Sequence, residues 1–378
     1  MPFFRDGVPL QITVLTAFLL IYIPAVTLIV YYNHMTNRER AEGDVSDQIE
    51  LMSARIVERQ QRFFQPAADW AAIWAKRMAL LQSPVAEVPK NLPSALENLA
   101  RNPQFYSVLV GTGPGGERFE VFQVSRVVAG GNYGVNPADL PGDVQYASWL
   151  IDRVRGQPER REFFDSTLRP VMKATVEPTK LVLWTRPWYK IAQEQTGVAM
   201  EGPFLFGSGQ RMGISFSHRF VGAKQQGAVA VTVLLSEFAE FLQQNRVGKG
   251  GYSVVFDQQG RVIALGDPTG KALAAFTKGQ GEQRTPLLAE SNIPALGWLN
   301  NHLPKNGERR EEYFTAGGHR YKVLMVPLRS PFKGDLHLGL VVSMEEFLNP
   351  IYRETAITAI ISMAIALAAV PFIFWLAF

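Results

Sequence analysis

Apolar positions follow three different patterns along this chain. At each end the pattern is an unbroken run: residues 8–32 (VPLQITVLTAFLLIYIPAVTLIVYY) and 355–378 (TAITAIISMAIALAAVPFIFWLAF) contain no charge. Both are long enough to cross a bilayer with some tilt, and lipid-embedded helices tolerate residues such as Pro24 and Pro371. The first run is too long for a cleaved signal peptide and no small-x-small site follows Tyr32, so it reads as an uncleaved anchor. Over residues 36–82 the period becomes helical. Val45, Ile49, Met52, Ile56, Phe63, Ala67, Trp70, Trp74 and Leu81 recur mostly three and four apart, with Arg, Glu and Gln between them. This predicts a stalk helix over 33–82 reaching about 70 Å, bent or split at Pro66. Its apolar stripe either packs on its own domains or pairs with a second copy. We expect a parallel homodimer touching near the membrane, around Ile49 and Met52.

Between these ends the period drops to two. Residues 83–103 are Pro-rich, with a short helix at 94–101. Strands are predicted at 105–111 and 117–125 around the turn 113–116, then at 162–165 and 172–175, with a loop at 132–141. A polar helix at 190–195 leads into strands 197–206 and 212–217 around Gly207-Ser208-Gly209-Gln210, and 226–235 closes the set. A helix at 238–246 ends at Gly248, Gly250 and Gly251. A second set follows: 252–256 and 261–265 around Asp257-Gln258-Gln259-Gly260, then 312–315, 321–327 and 336–342. Ser343-x-x-Glu346 reads as a capping box. It starts a helix, 344–353, that runs into the second apolar segment. The predicted fold class is α+β: two PAS-like antiparallel-sheet modules, 83–236 and 237–350, on a long N-terminal helix, with helices to one side of each sheet and flanked by two transmembrane helices, 8–32 and 355–378.

Composition removes several chemistries. The 378 residues include no cysteine, so disulfides and thiolate chemistry are excluded. A formal charge of +4 without a basic run leaves no nucleic-acid footprint. Five scattered histidines show no ligand spacing, so no metal or cofactor is expected. No GxxxxGK[ST], GxSxG, HExxH or paired-carboxylate pattern occurs, so we expect no enzyme in this span. Charge bias decides orientation poorly here: Arg5 precedes the first span, Arg38 and Arg40 follow it, and long loops translocate largely regardless of charge.

One stretch carries candidate chemistry. Thr185-Arg186-Pro187-Trp188-Tyr189 puts a cation and two aromatics at a helix start, roofed by a hairpin bearing Phe204 and Phe206. Such a site can hold a small anion or an amphipathic ligand. The same residues also read as core aromatics with a structural Arg186.

Arg186-Pro187-Trp188-Tyr189, Gly202-Pro203-Phe204, Gly213-Ile214-Ser215, the strand 227–236 and the hairpin 249–264 together resemble the double Cache (dCache) extracytoplasmic sensor domain of bacterial transmembrane receptors. The resemblance covers residues 33–354. It implies a membrane-distal module at 83–236, a membrane-proximal module at 237–350, and a domain outside the plasma membrane that binds a small molecule and signals through the second span. For the site it implies Arg186 and Trp188 as ligand contacts, with Tyr189, Phe204 and Thr232 shaping the pocket. The sequence departs from the family's amino-acid-binding branch at Leu181 and Phe204, where that branch has tyrosines, and at Thr232, where it has an aspartate. A buried ammonium without its carboxylate is costly, so the expected ligand is a carboxylate or another anion. Sensing through protein contact is the alternative. The wording from Pro327-Leu328 through Glu345–Ile351 resembles nucleotide-cyclase receptors; histidine kinases, diguanylate cyclases and chemoreceptors stay open. The uncharged ending suggests a truncated span with an adenylate or guanylate cyclase domain beyond it. A complete two-span adaptor binding a protein partner is the other class.

Overall fold

The computed structural model describes residues 10–81, 90, 92–112, 120–127, 134–152, 159–177, 183–205, 212–223, 226–268, 270, 286–305, 307–328 and 336–376. Helix α1 (Leu10–Leu80) joins the first apolar run and the stalk in a single 71-residue element. It does not divide at Pro66. Proline in a helix interior costs roughly 3 kcal/mol, but Phe63, Phe64, Ala67 and Ala68 on either side are all buried. Phe63 and Phe64 pack tilted against Phe238 at 5.3 and 5.4 Å, and Phe64 against Phe216 at 5.7 Å. That packing holds the helical path through the proline.

Among the described residues, the other α-helices are α2 (Leu92–Arg101), α3 (Pro187–Glu194), α4 (Ser236–Gln244), α5 (Pro294–Asn301) and α6 (Met344–Leu376). Among the described residues, thirteen strands form two antiparallel sheets. The first orders β5-β4-β3-β2-β1-β8-β7-β6, from β1 (Phe105–Thr112), β2 (Glu120–Arg126), β3 (Tyr146–Asp152), β4 (Glu159–Phe164), β5 (Pro170–Val176), β6 (Ala199–Leu205), β7 (Met212–Val221) and β8 (Gln226–Leu234). The second orders β10-β9-β13-β12-β11, from β9 (Tyr252–Asp257), β10 (Val262–Gly266), β11 (Arg310–Ala316), β12 (His319–Leu328) and β13 (Leu336–Ser343). These are the two PAS-like α+β modules expected from the alternating pattern. The turns 113–116 and 207–210, with Leu181 and Phe206, fall outside the described residues.

One continuous core unites α1 with both sheets. From the first sheet it takes Val108, Val110, Phe216, Val229 and Val231; from the second, Val255, Leu324, Leu338 and Leu340. The stalk's apolar stripe is consumed here, within a single chain. Ile49 is 1% exposed, so the contact between copies expected at that residue is not available. The large apolar side chains that α1 leaves in the open between the apolar run and its C-terminus are Met35, Leu51 and Ile73. Polar contacts tie the same helix to the second sheet: Arg320 to Glu42 at 3.8 Å, Arg309 to Glu50, and Lys322 to Ser46.

β13 passes into α6 without a loop. Glu346 does not close a capping box on its own helix. Its carboxylate accepts the backbone N–H groups of Lys249 and Gly250 at 2.8 and 3.0 Å, fastening the segment between the modules to the first turn of α6. Both α1 and α6 hold windows long and apolar enough to cross a membrane, with mean hydropathy 2.0 and 1.7. They pack together, Tyr22 donating to the Ser362 carbonyl at 3.0 Å and His34 meeting Thr355 at 3.1 Å.

Candidate functional site

The first sheet has two unlike faces. Strand side chains alternate, so the valines and Phe216 that meet α1 leave Ser107, Leu109, Ser215, Ser217, Ala228, Ala230 and Thr232 on the other side. Apart from Leu109 these residues are small, and all but Leu109 are buried. Ser215 and Thr232 share a hydrogen bond of 2.9 Å. On the opposite, α1-facing side of β8, a Cβ at Gly227 would stand 2.1 Å from the Gly111 carbonyl oxygen and 2.7 Å from the Phe220 ring, so that position admits only glycine.

Helix α3 covers this floor, opposite α1, so the first sheet carries helices on both faces rather than one. Pro187 at its first position presets the helical φ, and Arg186 is the extended N-cap residue. The Arg186 carbonyl accepts from the N–H groups of Tyr189 and Lys190. Helical spacing then turns Trp188, Tyr189 and Ala192 onto Ile151, Ala228 and Ala230. Trp188 meets Tyr189 edge-on at 5.6 Å and 75°. Gln193 fastens the helix to the sheet by donating to the Gly227 carbonyl at 3.1 Å. Burial pushes the Tyr189 phenol up to about 12.

The five residues expected at the site are placed unequally. Trp188 and Tyr189 form one wall. Thr232 lies two residues beyond Ala230 on the same face of β8. Phe204, half-buried, pairs with Gly213 at the β6 edge. Arg186 is exposed and, among the described residues, its side chain has no hydrogen bond or ion pair. Near Phe204, Glu201 registers with Ser215; burial raises its carboxyl above the usual range although Arg261 opposes this.

Sequence reasoning missed the charged group that this face does bury. Register runs Ser217–Ala230–Leu109, through Gln123 of β2, to Trp149 and Arg161. The Arg161 guanidinium stacks over the Trp149 ring at 3.7 Å. Trp149 Nε1 donates to Glu159 at 2.8 Å, and Arg161 pairs with the same carboxylate at 3.8 Å. Burial lowers Arg161 to about 10, with Glu159 acting the other way. Trp149 also packs on the Trp188/Tyr189 cluster, so the cation and the aromatic wall belong to one surface. The signal lay in Glu159-Arg-Arg-Glu-Phe-Phe164: Arg161 shares its side of the strand with Phe163, which is fully buried. A strand started at 162 hides that phase.

A groove of about 680 Å³ lies elsewhere, between the apolar parts of α1 and α6, lined by residues such as Tyr22, Ile23, Met363 and Ala366. Its walls offer few polar groups to orient a ligand.

These features define a two-module α+β fold: two antiparallel sheets on a shared long helix. No family model matches the chain. Over 340 residues it is 22% identical to Adenylate cyclase 1 of Rhizobium meliloti (strain 1021), a match covering 88% of this chain and 49% of that protein. The chain thus spans about half the length of the curated relative it matches. Among solved structures it is similar to the ligand-binding domain of the Pseudomonas aeruginosa PAO1 amino acid chemoreceptor PctC in complex with GABA, at 15% identity and TM-score 0.49, covering 78% of this chain and 98% of that one. It is also similar to the ligand-binding domain of the Pseudomonas fluorescens chemoreceptor CtaA in complex with L-serine, at 14% identity and TM-score 0.48, covering 80% and 99%.

Proposed function

We propose that this chain is the sensor and transmembrane part of a bacterial signalling receptor. The outer face of the first sheet, in the membrane-distal module, binds a small anionic molecule outside the plasma membrane. Helix α6 carries the response to a cytoplasmic output domain, a nucleotide cyclase. The observation carrying this reading is a floor of Ser, Ala and Thr beneath two buried aromatics, an apolar wall with a few polar groups of the kind small-molecule sites use. Trp188 and Tyr189 form the wall, Phe204 and Thr232 bound the far side, and Arg186 stands at the rim. An amine is disfavoured: Thr232 offers no charge, Glu159 is engaged by Trp149 and Arg161, and burial favours the neutral form of Glu201. The matched cyclase, of which this chain spans about half, supports the choice of output.

Melting the full chain in nanodiscs with a panel of carboxylates and amines tests the site. A carboxylate should raise the Tm, and Trp188→Ala should abolish the shift in a protein that still folds. An amine that stabilises would show that the ligand's charge was misassigned, and a shift indifferent to Trp188→Ala would move the site. The receptor acts as a homodimer paired through the exposed Leu51 side of α1, in place of Ile49. A cysteine at Leu51 should be linked between copies by a membrane-impermeant bis-maleimide applied to intact cells. Absence of any labelling there would reverse the orientation, and labelling without crosslinking would refute the dimer.

A further inference from the structure

We infer that Arg161, rather than Arg186, receives the ligand's charge, so that the ligand is a small carboxylic acid whose carboxylate lies beside the Trp149 ring. This deepens the distal-face reading above and rests on it. A guanidinium holds five N–H donors in one plane, a shape matched to the two oxygens of a carboxylate. The Arg161 side chain is 5% exposed, and its ion partner Glu159 stands at 3.8 Å, beyond hydrogen-bond length. The facing Glu159 oxygen already accepts from Trp149 Nε1. Arg161 Nε is buried and has no acceptor among the described residues. A structural arginine ends on acceptors, because a buried unmet donor is destabilising. Arg161 is instead buried, charged and oriented by its stacking on Trp149, with donor capacity to spare.

Two further observations agree with a site here. A Cβ at Gly134, which has φ +71°, would lie 3.3 Å from Arg161 Nη2, so a larger residue there would crowd the guanidinium. Trp149 also joins Arg161 to the wall made by Trp188 and Tyr189, so a molecule spanning a few ångströms meets the cation and the apolar surface together. Magnitude separates the two arginines. A pair formed by exposed Arg186 would be screened by water and contribute little, whereas a carboxylate on buried Arg161 is desolvated and directional.

The test titrates acetate, pyruvate, succinate and citrate into the full chain in nanodiscs, following Tm and binding heat for wild type, Arg161→Gln, Arg161→Lys, Arg186→Gln and Glu159→Gln. One of these acids should bind wild type and Arg186→Gln alike, and bind Arg161→Gln on the order of 30-fold more weakly or worse. Arg161→Lys keeps the charge but loses the planar fork, and should fall between them. This guards against a Gln variant that fails to fold. Glu159→Gln removes the competing carboxylate and should tighten binding, an outcome that a merely structural Arg161 does not produce. Binding that survives Arg161→Gln but is lost in Arg186→Gln overturns the assignment while leaving the distal-face site intact. If no acid binds wild type, the carboxylate assignment is overturned. An uncharged or amine ligand whose binding needs Trp188 would then preserve the distal face alone.

Discussion

Toward α3 the first sheet turns Ser107, Ala228, Ala230 and Thr232; toward α5 the second sheet turns Val254, Phe256, Val323 and Met325. Each sheet uses its opposite face to join the core on α1, so the two modules differ chiefly in how the outer face is finished. Under α5, Leu296 and Leu299 are buried against Phe256 and Val254, and Trp298 stacks on Phe314 at 4.0 Å. A face filled in this way stores stability and transmits displacement. The small, polar face under α3, with a desolvated cation at one end, gives up that stability. Sites that break the packing rule are where function is expected.

Three substitutions probe the contrast. The largest effect should come from Phe256→Ala, which empties a filled core and should cost about 3–5 kcal/mol by denaturant melt while leaving carboxylate affinity unchanged. If the folded variant loses its ligand response, the second sheet is part of the site and the contrast fails. Next, Ala230→Leu adds bulk to the floor under α3. In a filled core such overpacking costs about 1–3 kcal/mol; a face that keeps space for a ligand should tolerate it for less than about 1 kcal/mol and lose the ligand-induced Tm shift. A large destabilisation with the shift retained would mean that the floor is already full. The smallest effect is a pH dependence at Glu201. Its folded-state pKa is raised by burial, so the folded protein holds the proton more tightly than the unfolded chain. Stability should therefore increase as pH falls through the window between the raised value and the ordinary carboxylate range, and decline as pH rises through it. Glu201→Gln should flatten that part of the Tm–pH curve, and an unchanged curve would place the titrating group elsewhere.

Alternation and period carried most of the architecture because half-buried strands and amphipathic helices write their burial directly into the sequence. Where burial is not periodic, the reading stopped. β3 (Tyr-Ala-Ser-Trp-Leu-Ile-Asp) escaped because its small residues and its large ones each run together, with no polar–apolar alternation. α5 escaped because eight residues containing Gly297 make a weak helical signal, and its stability comes from the sheet beneath it. At Pro66 a local penalty was overruled by aromatic contacts from distant segments, which no window of sequence contains. The wall of the candidate site was legible, since Trp188 and Tyr189 follow a proline at a helix start. Arg161 was not: a charged residue in a strand reads as exposed until its partners Trp149 and Glu159 are brought beside it. Glu346 likewise suggested a local cap, and its true partners lie almost a hundred residues earlier.

The unbroken passage from β13 into α6 makes angular phase a transmissible quantity. A loop would absorb an added residue, whereas a helix converts it into about 100° of rotation and 1.5 Å of advance for everything that follows. One residue inserted between Glu346 and Thr355 would therefore swing Thr355 and Ser362 away from His34 and Tyr22, while the Glu346 fastening to Lys249 and Gly250 stayed where it is. Seven inserted residues return to within about 20° of the starting phase. Anything joined to the far end of α6 would thus respond to insertions with a helical period rather than in proportion to length, as a keyed shaft does and a tether does not.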